Sequence, residues 1–102
     1  MSIDYNTILT NPICSFLKAK FQVNIINFEF QTTRKEFEGD ITLLVFPLLN
    51  YIKINPEKLG DVIGDHLINT NKYVISYNVV KGFLNISLSN FFYLEQFQNI
   101  FK

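Results

Sequence analysis

The order of apolar and polar positions divides this chain into helical and extended stretches. Ile13, Phe16, Leu17 and Phe21 recur at helical spacing and close on a turn carrying Lys18 and Lys20, so a first helix is predicted within residues 3–21. Asn11-Pro12 lies inside it: either the helix opens with Pro12 in its first turn, or an earlier helical piece is kinked there. From Asn27 to Thr33 the pattern changes to alternation, with Phe28 and Phe30 on one face and Glu29 and Gln31 on the other, which predicts a half-buried strand. Arg34 to Glu38 is charged and reads as a loop or a short second strand, and Gly39-Asp40 supplies a break followed by a residue suited to capping a helix.

Ile41, Leu44, Val45, Leu48, Leu49 and Ile52 then form one continuous helical face, so a second helix is expected from Ile41. Pro47 opposes it, because an interior proline removes a hydrogen bond and costs about 3 kcal/mol. The run Ile41 to Phe46 also suits a strand. Leu43, Phe46 and Tyr51 lie off the stripe, so this element would be buried centrally or meet a partner. Asn55-Pro56 is a helix start, followed by Leu59, Val62, Ile63 and Leu67 at helical spacing to about Asn69. Gly60 and Gly64 each disfavour a helix interior by about 1 kcal/mol relative to alanine, which close approach of a neighbouring element would offset. Val74 to Val80 and Phe83 to Leu88 are rich in β-branched and aromatic residues and meet at Lys81-Gly82, the pattern of a hairpin. Ser89-Asn90 can cap a closing helix with Leu94, Phe97 and Phe101 as its stripe. Together these elements predict a two-layer α+β domain: a small, mostly antiparallel sheet of three to four strands packed with about four helices.

Composition fits one domain. The 102 residues include 48% hydrophobic side chains, with 11 Phe and 5 Tyr, enough for a real core and against disorder. Nine basic and nine acidic residues cancel, so any nucleic-acid contact must be local rather than driven by an overall field. A single cysteine, Cys14, cannot form an internal disulfide, which fits a reducing cytoplasm, and no stretch approaches the roughly eighteen apolar residues of a membrane span. The chain stops soon after its last apolar stripe, which suggests a domain cut from a longer product.

Catalytic chemistry finds little support. His66 lies along the apolar stripe of the third helix and reads as a packed or edge histidine, and Asp61 and Asp65 as a solvent face, so no metal site is expected. Cys14 and His66 have no nucleophile-base spacing, and phosphate-loop and nucleophile-elbow motifs are missing from the sequence. Glu36, Glu38 and Asp40 are the remaining acid-base candidates, in a loop where such residues usually solvate or cap. The better candidate is the last strand. Alternation puts Leu84, Ile86 and Leu88 on the core face and Phe83, Asn85 and Ser87 on the other. An exposed phenyl ring beside an exposed amide can stack on and hydrogen-bond an unstacked base. Lys81, before Gly82, is a candidate phosphate contact, which Arg34, Lys35 and Lys53 would extend if the fold gathers them. The same residues suit plain packing equally well, Phe83 beneath a helix and Asn85 at a sheet edge or turn.

Four motifs occur in order: Phe37-Glu38-Gly39-Asp40, the long apolar stretch after it, Asn55-Pro56, and Gly82-Phe83-Leu84-Asn85. In this order the chain resembles the N-terminal additional domain of arginyl-tRNA synthetases over nearly its whole length. Lys81 stands where that family commonly has proline, and Pro47 interrupts a helix that is usually proline-free. The resemblance implies one N-terminal tRNA-recognition domain over residues 1–102 that touches the D-loop at the corner of arginine tRNA. Catalysis with ATP, anticodon binding and the remaining domains would then belong to the rest of a cytoplasmic synthetase. It further implies stacking by Phe83 and hydrogen bonding by Asn85, with no cofactor, metal or membrane for the domain itself. Two other classes stay open: a protein docking module using spare apolar surface, and a small enzyme built on Glu36, Glu38 and Asp40.

Overall fold

A computed structural model describes residues 6–89. A π-helical turn at Asn6–Thr10 leads into α1, Asn11–Phe21, whose first turn contains Pro12, so the chain is helical on both sides of the proline. The helix stops at Gln22, which takes a left-handed φ of 60° while its N–H bonds the Lys18 carbonyl. Beyond it the chain contributes four strands: β1 Phe30–Thr32, β2 Ile41–Leu44, β3 Val74–Val80 and β4 Phe83–Leu88. They form one antiparallel sheet in the order β1-β2-β4-β3. Between β2 and β3 lie a 3-10 turn, Phe46–Asn50, and α2, Pro56–Thr70. This is the expected α+β architecture. The expected closing helix, with Leu94, Phe97 and Phe101, lies outside the described residues.

The helical reading of residues 41–52 is corrected. Ile41–Leu44 is a strand, and Pro47 sits near the start of the short 3-10 turn instead of kinking a helix. The helical stripe is a coincidence of a densely apolar run, interrupted within the strand only at Thr42, which satisfies more than one period. Asp40, expected as a helix cap, instead ties the start of β2 to β4. Its N–H bonds the Ile86 carbonyl at 2.8 Å and its Oδ2 accepts the Leu88 N–H at 2.7 Å. The Asn55 cap is present as expected, its Oδ1 accepting from the N–H groups of Glu57 at 2.8 Å and Lys58 at 3.3 Å.

α2 packs on one face of the sheet, and α1 packs against α2. Leu9, Ile13 and Leu17 meet Leu59, Ile63 and Leu67 of α2 over Ile41, Leu43, Leu84 and Ile86, all buried. Half-buried His66 stacks on Phe16 with ring centroids 4.0 Å apart, joining the two helices as a packed side chain. Gly60 and Gly64 turn toward β3: a Cβ at 60 would stand 3.0 Å from the Val79 methyls, and one at 64 would stand 2.6 Å from Tyr77 Cγ. The close approach expected from these glycines is therefore against β3. The Tyr77 ring is held there by its hydroxyl, which donates to Asp65 Oδ1 at 2.8 Å. No described helix is long and apolar enough to cross a membrane.

Gly64→Ala should destabilise the fold by about 1–3 kcal/mol, despite alanine's better helix propensity, because the anchored Tyr77 ring cannot yield; a thermal melt beside Gly60→Ala, whose methyl neighbours give more easily, checks this. Desolvation, then the hydrogen bond from the hydroxyl to Asp65, raises the Tyr77 pKa above its ordinary value of 10.0. The folded state thus keeps a proton that the unfolded chain loses, so stability present below about pH 10 should decline as pH rises beyond it. Urea unfolding at pH 9 and pH 11 should show a smaller decline in Tyr77→Phe.

Candidate nucleic-acid interface

The sheet face turned away from the helices carries two cross-strand rows, and strand register dictates both. Leu44, Phe83 and Val80 are direct neighbours on β2, β4 and β3 and form an apolar row with Phe83 at its centre. One step along lies a polar row, Gln31, Thr42, Asn85 and Asn78, across all four strands. The two-residue turn Lys81-Gly82 closes the β3-β4 hairpin, with φ of 50° and 81°. Positive φ at both positions is the type I′ geometry that matches strand twist. Glycine at 82 is also required sterically, since any Cβ there would run into the ring of Phe46.

Phe83 does face away from the core, half-buried, and the Arg34 guanidinium lies over its ring 5.7 Å from the centroid, within cation-π range. Lys81 and Lys35 are exposed, at the hairpin tip and immediately after Arg34. Lys53 is exposed on the link between the 3-10 turn and α2, and makes no ring contact with Phe83. Of the expected cations, Arg34 alone contacts the aromatic.

The expectation of an exposed amide at Asn85 is corrected. Its side chain points to the predicted face but is only 1% exposed, because the connection of residues 33–40 folds over it. A Cβ on Gly39, whose φ is 145°, would stand 3.2 Å from Asn85 Cβ and 3.0 Å from Thr33 Oγ1. Beneath this cover runs a continuous hydrogen-bonded chain: Thr33 to Thr42 at 2.8 Å, Thr42 to Asn85 Oδ1 at 2.6 Å, Asn85 Nδ2 to Asn78 Oδ1 at 2.9 Å, and Asn78 Nδ2 to the Glu38 carbonyl at 2.7 Å. One backbone group sets its polarity. The Glu38 carbonyl can only accept, so Asn78 turns its NH2 outward and its oxygen to Asn85. Asn85 must then donate to Asn78 and accept from Thr42. Thr42 spends its single proton on Asn85, so the Thr33 hydroxyl is the donor in the first bond.

Sequence reasoning missed Thr33, Thr42 and Asn78. Thr42 and Asn78 could be found only through register with Asn85. Phe46, noted in the sequence as off the apolar stripe, is 52% exposed with its ring against Gly82. Glu36 and Glu38 are exposed, and the Asp40 carboxylate is engaged with β4. Among the described residues no group of His, Cys, Asp and Glu side chains could hold a metal ion.

Fold and surface together define a small antiparallel α+β domain with an outward aromatic and neighbouring cations. No family model matches the chain. It is similar to the arginine-tRNA ligase of Flavobacterium psychrophilum, 42% identical over 103 residues that take in 91% of this chain and 17% of that enzyme. It is also similar to the arginine-tRNA ligase of Amoebophilus asiaticus, 38% identical over 104 residues, with 100% and 17% covered. Among solved structures, Thermus thermophilus arginyl-tRNA synthetase shares the fold, with a TM-score of 0.71 and 22% identity over 89% of this chain and 15% of that one. The chain thus spans about 17% of the length of these curated relatives.

Asn85→Ala would strand the Thr42 hydroxyl and the Asn78 carbonyl oxygen beneath the 33–40 connection. Urea unfolding should show a loss of about 1–3 kcal/mol with unchanged denaturant slope.

Proposed function

We propose that this chain is the N-terminal tRNA-contacting domain of a cytoplasmic arginyl-tRNA synthetase. In this reading it touches the D-loop of arginine tRNA, while the parent enzyme's other domains attach arginine using ATP. The observation that carries the reading is the pairing of 42% identity to an arginine-tRNA ligase with an outward Phe83 under the Arg34 guanidinium. Phe83 and Arg34 offer adjoining planar surfaces, and both kinds of group stack on unpaired bases. Lys81, exposed at the hairpin tip, reaches a phosphate, and Lys35 and Lys53 extend the contact along the backbone. Asn85 serves the surface from beneath, through its bonds to Thr42 and Asn78. With a formal net charge of zero the domain binds weakly by itself, because few phosphate contacts release few counterions. Linkage to other tRNA-binding domains would raise its effective concentration and make the contact useful.

A docking module without nucleic-acid contact is the second reading. It is favoured by Ile26, Phe46 and Tyr51, which are 73%, 52% and 60% exposed. Ile26 and Tyr51 border a shallow depression of about 250 Å³ beside Pro47 and Leu48.

An amide-shift titration of the chain with arginine tRNA separates the two. Shifts should centre on residues 81–87 and on Arg34. Phe83→Ala, which leaves the polar row intact, should weaken binding by about 1–3 kcal/mol, the worth of one stacked base. A folded chain whose residues 81–87 ignore tRNA would leave docking as the function.

A further inference from the structure

The hydrogen-bonded chain along the polar row does more than satisfy buried groups, because both of its ends, Thr33 and the Glu38 carbonyl, lie in the same connection. Thr33 stands at one end and the Glu38 carbonyl at the other, while Thr42, Asn85 and Asn78 between them sit on β2, β4 and β3. The 33–40 connection is therefore clipped to the sheet at two points. Between the clips it is drawn into a turn by the Phe37 N–H, which bonds the Arg34 carbonyl at 3.0 Å. Gly39 permits the approach, since a side chain there would press on both Thr33 and Asn85. Arg34 follows Thr33 directly, and its guanidinium is the group over Phe83.

We propose that Thr33, Thr42 and Asn78 are positioning residues: through Asn85 they clip the 33–40 connection to the sheet and so hold Arg34 over Phe83, fixing the surface presented to a base. The proposal rests on the tRNA-contacting function and names residues that do not themselves touch nucleic acid. Thr42 is the pivotal member. It accepts from Thr33 and donates to Asn85, and only a hydroxyl does both in the space available. Valine has its shape and strand preference but breaks the row at its centre, whereas serine keeps the row.

The test follows the Arg34 Nε–H resonance, shifted by the Phe83 ring current, and hydrogen exchange of the Phe37 amide, first without tRNA and then with arginine tRNA added. In Thr42→Val the Arg34 signal should move toward its free-arginine position and the Phe37 amide should exchange about tenfold faster, while α2 amides keep their rates. Affinity for arginine tRNA should fall about tenfold. Thr42→Ser should retain all wild-type values. Thr33→Val breaks the row at its rim and should repeat the loss with less disturbance of the sheet. The proposal is overturned if both valine variants leave the Arg34 signal and the Phe37 exchange unchanged, if serine fails as valine does, or if Arg34 is released while tRNA affinity stays at the wild-type value. If the wild-type chain binds no tRNA, the proposed function fails by itself, and the Arg34 signal still decides whether the row positions that side chain.

Discussion

Pairing of β2 with β4 is the contact on which most of this molecule depends. It sets Ile41 and Leu43 beside Ile86 and Leu84 on the helix-facing side, where they floor the core. The same register puts Thr42 beside Asn85 and Leu44 beside Phe83 on the other side. Asp40 secures the start of the pair through its N–H and its carboxylate. A slip of one residue would invert every one of these side chains, sending apolar groups to the surface and the polar row into the core. The core and the candidate interface are thus two faces of one register.

The two faces are finished differently. On the helix side, shape decides: Gly60 and Gly64 let α2 lie directly on Val79 and Tyr77, and the Tyr77 hydroxyl reaches back to Asp65. On the other side, polarity decides. Covering a sheet with a loop buries groups that must find partners, and here a backbone carbonyl at Glu38 orders four side chains into one directional chain ending at Thr33. That chain converts a charged, loop-like stretch into a fixed support for Arg34. A surface whose aromatic and cation are already aligned needs less ordering to bind any planar ligand.

Elements whose signals are local could be read directly along the chain. Asn55-Pro56 opens α2, the hairpin turns at Lys81-Gly82, and alternation along β4 separates Phe83 and Asn85 from Leu84, Ile86 and Leu88. Each depends on a cap, a turn or a period of two that neighbouring residues encode. The ordered motifs around Gly39, Asn55 and Gly82 also carried the resemblance to arginyl-tRNA synthetases, and the relatives' identities support that similarity to the enzyme as a whole. That Ile41–Leu44 is a strand emerges only once the chain is folded, because a densely apolar run fits a helix or a buried strand equally, and the partner that selects between them lies 43 residues away at Asn85. Folding also decides that Asn85 is covered and that Arg34, rather than Lys53, meets Phe83. Burial and side-chain proximity are properties of segments folded over one another, and the 33–40 connection has no period or cap from which its path across the sheet could be read.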